Sequence, residues 1–406
     1  MKTRALFIIF LAALALRASA SPADVQTLAA ANNVFSFKLL KQIAADEPTQ
    51  NIFISPYSAA TALQMVANGA DGQTNNEMQS VLGIAPAETG LSDTALNEAS
   101  KEIAQSLHSG NTNVILEIAN AIWYQRGIAV EPNFLSCNQK YFGATVGPLN
   151  FQNPRSADII NHWASEKTHG RIPQIVTSDD VENCRLFLAN AVYFKGNWSD
   201  PFDANDTRNR TFYRPDGSKK IVRMMKQSSL FIYRRGAGYQ AVRLPYKSEK
   251  LAMYVFLPDA GSSPEKLLGL MNGDTWRRIT EPGFALADGT LELPKFKLSY
   301  SVELGQALAK LGMKTAFDSK TADLSGMSPE PLFVSSVLQD TFVEVKEEGT
   351  EAAAVTANAV PMFAMPPPPP QKFEMIVNRP FLFLIEDNNA GTILFMGIIN
   401  NPPPDK

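Results

Sequence analysis

Glu347-Glu348-Gly349-Thr350-Glu351-Ala352-Ala353-Ala354-Val355-Thr356 is the stretch that decides the fold. It follows Phe342-Val343-Glu344-Val345, which ends as a strand, and it turns at Glu347-Glu348-Gly349. Beyond it the chain runs to Pro361, then Met362-Phe363-Ala364-Met365, then five prolines, Pro366 to Pro370. Local propensity alone would make 350–359 a helix, because alanine is the best helix former and Thr350 could cap it. An Ala/Pro linker is the other reading that composition allows.

Bulk features narrow the classes. Lys2 and Arg4, an apolar run of twelve residues from Ala5 to Leu16, and Ala18-Ser19-Ala20 match a secretory signal peptide over 1–20. The mature chain is then expected to start at Ser21. A membrane span needs about 20 apolar residues, so no membrane role is expected. Loss of Lys2, Arg4 and Arg17 moves the formal charge from −3 to −6, a balance that disfavours nucleic acid. No linker, repeat or composition break divides residues 21–406, so one large α+β domain is expected.

The two cysteines, Cys137 and Cys184, are too few for a disulfide scaffold, and the sequence leaves open whether they pair. His108, His162 and His169 have no metal-ligand spacing, and no G-x-S-x-G elbow, Walker loop or G-x-G-x-x-G turn occurs. Neither a metal, a cofactor nor an enzymatic activity is expected. Asn205 and Asn209 stand in N-glycan acceptor triplets, as does Asn197, where neighbouring Trp198 argues for burial. Nine Lys/Arg between Arg208 and Arg235 with a single acid, Asp216, could meet a glycosaminoglycan or could be solvated strand faces.

Periodicity predicts an amphipathic helix over 24–45 and a short buried strand at Asn51–Ile54. A helix capped by Ser55-Pro56 follows from Tyr57 to Asn68, with further helices near 74–82, 94–108 and 157–167. Val114–Tyr124 and Leu186–Phe194 read as strands. Phe381–Ile385 and Thr392–Met396 form a hairpin with both faces apolar, hence buried.

The 347–356 segment resembles the reactive-loop hinge of serpins. Asn51–Ser58, Asn190–Trp198, Leu293-Pro294-Lys295-Phe296 and Leu394-Phe395-Met396-Gly397 resemble other signatures of that family, in family order. The likeness spans the chain after the signal peptide, and within the family it is nearest to secreted arthropod serpins of the tick-saliva kind. It implies helices packed on three β-sheets, with an exposed reactive-centre loop at about 347–372. It further implies a secreted, monomeric inhibitor that traps serine proteases in a covalent complex as the cleaved loop inserts into a sheet. The rival within the family is a non-inhibitory carrier or storage protein.

The hinge is chemically suited to insertion. Side chains alternate in a strand, so Thr350, Ala352, Ala354 and Thr356 share the face that the family turns inward, and small residues there avoid overpacking. Asn358 falls on the same face and needs a partner. Family spacing from Gly349 puts the reactive bond at Phe363-Ala364, which suits chymotrypsin-like, cathepsin G or chymase slots; an alternative alignment puts Met362 there and favours elastase-like targets. The resemblance assigns Lys295 and Glu347 to an ion pair where the loop enters the sheet, with Trp198 beside it. Ser55, Ser58 and Asn190 match a polar cluster under the opening strands. Gln339 stands there where many members carry histidine, which bears on how easily the sheet opens.

Overall fold

The computed structural model describes residues 19–107, 114–280, 283–349 and 372–404. Along the first half run α1 (Pro22–Asp46), β1 (Ile52–Ile54), α2 (Pro56–Ala67), α3 (Gly72–Leu82), α4 (Pro86–Thr89), α5 (Asp93–Leu107), β2 (Val114–Gln125), α6 (Pro132–Phe142), β3 (Thr145–Leu149), α7 (Arg155–Lys167), α8 (Ser178–Val181) and β4 (Leu186–Gly196). The second half holds β5 (Arg208–Tyr213), β6 (Lys219–Gly236), β7 (Tyr239–Pro245), β8 (Leu251–Pro258), α9 (Pro264–Leu270), α10 (Gly273–Thr280), β9 (Ala285–Pro294), β10 (Phe296–Glu303), α11 (Gly305–Leu311), β11 (Ser336–Val345), β12 (Phe373–Ile376), β13 (Phe381–Asp387) and β14 (Thr392–Ile399).

Local chemistry sets the first elements. Ser21 and Asp24 form a reciprocal capping box with Pro22 in the first turn, which fixes the start of α1. Ser55 caps α2 with Pro56 behind it, and α2 is buried nearly all round, as a central helix must be. Asn33 on α1 accepts from the Ile393 backbone N at 2.8 Å and donates to the Gly391 carbonyl at 2.7 Å, which ties the helix to the β13–β14 hairpin. Every residue of β13 and β14 is buried, and Phe53 of β1 stacks between Phe383 and Phe395. Each such buried side chain stabilises the fold by about 1.5–3 kcal/mol.

Among the described residues the strands form two hydrogen-bonded sheets. The five-stranded one has the order β10-β11-β4-β2-β3; the nine-stranded one runs β1-β14-β13-β8-β7-β6-β9-β12, with β5 on β6. The three sheets expected from the resemblance are thus joined into two networks, and β6 is the reason. Its first part pairs β5, its middle β9 and its last part β7. Odd residues from Lys219 to Arg223 are exposed, Met224 and Met225 are both buried, and even residues from Lys226 to Leu230 are exposed. The strand therefore exchanges its inner face at Met224-Met225, with Val222 before it and Phe231 and Tyr233 after it joining the same core.

Candidate functional site

The five-stranded sheet contains a seam. β4 and β11 run parallel, in register from Ser336↔Phe187 to Phe342↔Tyr193, while each is antiparallel to its outer neighbour, β2 or β10. Above Tyr193 and Phe342 the two strands continue to Gly196 and Val345 without pairing to each other. The chain leaving β11 turns back at this mouth. Gly349 bridges Lys346 in antiparallel sense, and its N–H donates to the Lys346 carbonyl at 3.0 Å. Gly349 has φ +89°, and a methyl group there would lie 2.3 Å from the Trp198 backbone N and 2.4 Å from the Gly196 carbonyl. Only glycine meets both demands.

Side chains pin this turn from beneath. Lys295 Nζ lies 2.8 Å from Glu347 Oε2, and Thr207 donates to Glu347 Oε1 at 2.7 Å. Trp198 Nε1 donates to the Lys346 carbonyl, the Trp198 backbone N to that of Glu348, and the Phe202 backbone N to that of Glu347. Tyr246 stacks on Trp198 with centroids 4.6 Å apart. Burial works to raise the Glu347 carboxyl, but the hydrogen bonds from Lys295 and Thr207 outweigh it and hold the group below its ordinary value of 4.5. The stability this pair supplies is therefore present above that ordinary value and lost as pH falls through the lowered one. Lys295→Ala should cost about 1.5–3 kcal/mol at pH 7, because it strands a buried carboxylate. Urea unfolding should show the gap from wild type closing as pH falls below about 4.5; a gap that persists in acid would exclude the ion pair as its source.

A polar row crosses the middle of the seam. Gln339 faces Asn190 across β11 and β4, and Asn190 faces Asn120 across β4 and β2. Gln339 Nε2 donates to Asn190 Oδ1 at 2.7 Å and to the Ser55 carbonyl at 2.9 Å, while its Oε1 accepts from the Ser55 N–H at 2.9 Å. Asn190 donates to Asn120 and Ser58. Ser55 Oγ donates to the Leu394 carbonyl at 2.8 Å. The bond of Gln339 to Asn190 carries the polar row across the seam, alongside the backbone ladder of β4 and β11. Asn120 and Thr341, whose hydroxyl donates to the Phe53 carbonyl at 2.6 Å, belong to the same cluster and escaped the sequence reading. A lone asparagine within the apolar run of β2 was the available signal.

Other anticipated residues are dispersed. Thr350, Ala352, Ala354, Thr356, Met362, Phe363 and Ala364 lie outside the described residues, as do residues 1–18 of the expected signal peptide. Asn205 and Asn209 are exposed, whereas Asn197 is buried at 8% exposure, which leaves no room for a glycan on the folded chain. Cys137 on α6 and Cys184 before β4 are both free thiols. The nine cations between 208 and 235 do not share a face. Arg210 and Arg235 pair with Glu292 and Asp259, Lys220 docks on Asn401 and Pro402, and the face exchange in β6 separates Lys219 and Arg223 from Lys226.

A parallel seam with an unpaired mouth, a glycine-bound turn over it and a buried polar row across it meet in this sheet. The chain belongs to the serpin family: the family model described as serpin (serine protease inhibitor) matches residues 30–402. It is 33% identical to the human leukocyte elastase inhibitor over 393 residues, spanning 93% of this chain and all of that one. The crystal structure of native protease nexin-1 with heparin matches with a TM-score of 0.81 and 30% identity, over 94% of this chain and 100% of the other. Human thyroxine-binding globulin complexed with thyroxine matches with a TM-score of 0.82 over 94% and 100% of the two chains; at 24% identity that likeness concerns the fold alone.

Proposed function

We propose that the chain is a secreted inhibitor of chymotrypsin-like or elastase-like serine proteases that acts by inserting its cleaved loop between β4 and β11. The observation that carries the reading is the Lys346↔Gly349 bridge at the mouth of the parallel seam. A strand continuing from that turn would run antiparallel to both flanking strands, exchanging one parallel ladder for two antiparallel ones.

Extending the register sets Thr350 against Val345, Ala352 against Val343, Ala354 against Thr341 and Thr356 against Gln339, all four partners being buried. The inward residues of the segment are thus the small ones, and Thr356 would bring a hydroxyl to the amides of Asn190 and Gln339 as their mutual bond is broken. Asn358 would face Val337, an apolar neighbour, and remains the one ill-suited residue of the inward set. From Thr350 to Phe363 the segment reaches about 44 Å, enough to cross a large sheet. If each new ladder bond nets about 0.5–1.5 kcal/mol, a dozen favour insertion by on the order of 10 kcal/mol.

The protease serine attacks the carbonyl of the bait residue and expels the Ala364 amine, forming an ester. Insertion then carries the acylated enzyme away before water completes hydrolysis. The chain supplies no catalytic group. Of the cationic segment, Lys219 and Arg223 stand exposed on one face and Arg208 and Lys226 on the other, none in an ion pair with an acid among the described residues, so any glycosaminoglycan contact on either face would be slight. Incubation of the protein with chymotrypsin, cathepsin G, chymase and elastase should give a high-mass band that survives boiling in SDS. Clean cleavage without such a band across the panel would overturn the inhibitor reading and favour a carrier or storage role.

A further inference from the structure

Asp340 lies on β11 in the middle of the seam, opposite Ala191 of β4 and Ser301 of β10. Its side chain points away from the polar row, because its neighbours Gln339 and Thr341 point into it. On Asp340's own face stand Leu338 and Phe342; Ile175, in the segment that follows α7, packs against the same two clusters as these residues, and Ile172 shares the cluster of Phe342 and Tyr193. Two residues tie that segment to α7: Asn161, whose Oδ1 accepts from the Ile175 and Val176 backbone N atoms at 2.8 and 3.0 Å and whose Nδ2 donates to the Val176 carbonyl at 2.8 Å, and the C-cap Thr168, whose Oγ1 accepts from the Ile172 backbone N at 3.0 Å. Asp340 is 6% exposed, it faces Ser301 of β10, and its Oδ2 is buried with no hydrogen-bond partner.

The charged groups around it do not compensate. Lys297 and Glu303 share its face on β10, but Lys297 sits over the Phe342 ring and Glu303 caps the Gly305 and Val337 N–H groups. Glu344 is the next acid on that face of β11. In the covering segment Arg171 also lies over Phe342, and His169 lies beside Glu117 and Tyr193. Among the described residues of α7, β4 and β2, no cation is paired with the carboxyl; Lys195, on the same face of β4, stands four residues beyond Ala191.

We propose that Asp340 couples protonation to the opening of the seam: its ionised carboxylate, buried with one oxygen unpartnered, favours lifting of the Ile172–Val176 cover, so the seam opens more readily as pH rises and is held shut as pH falls. Burial pushes the group up to about 7, only partly offset by Ser301. The folded, covered state therefore binds a proton that the opened state releases between about pH 4 and pH 7, and opening gains with pH across that window and levels off above it. As a brake on inhibition the coupling rests on the insertion reading, but opening itself is measurable without any protease.

Hydrogen exchange of Ile172–Val176 and β11, expressed as protection factors, should show opening of the wild type about tenfold more frequent at pH 8 than at pH 6. Asp340→Asn, which keeps the shape and removes the charge, should abolish that difference. Ser301→Ala, which removes the neighbouring hydroxyl that favours ionisation, should move the transition to higher pH. A wild type with no pH dependence, or an asparagine variant that retains it, overturns the proposal. Loss of SDS-stable complex at every pH, with the exchange pattern intact, would instead remove the inhibitor reading and leave the coupling standing.

Discussion

Thr350→Arg is expected to convert the chain from an inhibitor into a substrate. Thr350 is the first residue that must enter between β4 and β11, and the register carried on from Lys346↔Gly349 sets it against Val345, which is 1% exposed. An arginine there would take an unpaired guanidinium into a packed interior, at an effective cost of several kcal/mol. Every 1.4 kcal/mol is a factor of ten in the competition between insertion and hydrolysis. The moles of inhibitor consumed per mole of chymotrypsin silenced should therefore rise more than about tenfold. Cleavage should still fall at the same bond, because the bait is untouched. A stoichiometry within twofold of wild type would show that 350 does not enter the sheet.

Phe363→Arg should redirect inhibition instead of ending it. The hinge from Thr350 to Thr356 is unchanged, so insertion proceeds as before. The side chain offered to the protease slot now forms a charge pair with an acid-bottomed pocket and leaves an unpaired cation in an apolar one. Second-order rate constants should fall at least about 100-fold for chymotrypsin and rise comparably for trypsin. Met362→Ala should change either constant by less than about threefold. If Met362→Ala abolishes inhibition while Phe363→Arg leaves the target range alone, the bait is Met362.

How far the sequence reached depended on the range of the interactions. α1, α2 and the β13–β14 hairpin were legible because caps, period and turn residues lie within a few positions of what they govern. The Lys295–Glu347 pair and the Ser55–Asn190–Gln339 cluster were legible only through resemblance, since their members stand 52 residues or more apart in the numbering and no local rule joins them. Thr207 was read as part of a glycan triplet, yet it is buried against Glu347. The face exchange at Met224-Met225 breaks a period of two that a strand reading assumes throughout. Asp340 sits in a run of three polar residues, Gln339-Asp340-Thr341; the sequence marks the run as odd for a strand but does not say which member lacks a partner.

The edge pairing of β1 with β14 bears on synthesis. Asn51 accepts from the backbone of Asn400, 349 residues further on, and both α1 and α2 pack against β14. At about 5–20 residues per second, a ribosome completes the C-terminal partner some tens of seconds after the N-terminal helices have emerged. Through that interval the part of α1 and α2 that packs on β14 has no native cover, so folding of this chain is completed only after translation. Loss of even the last strand would leave the earliest-made part of the molecule permanently exposed, the condition under which nascent proteins are captured by chaperones and degraded.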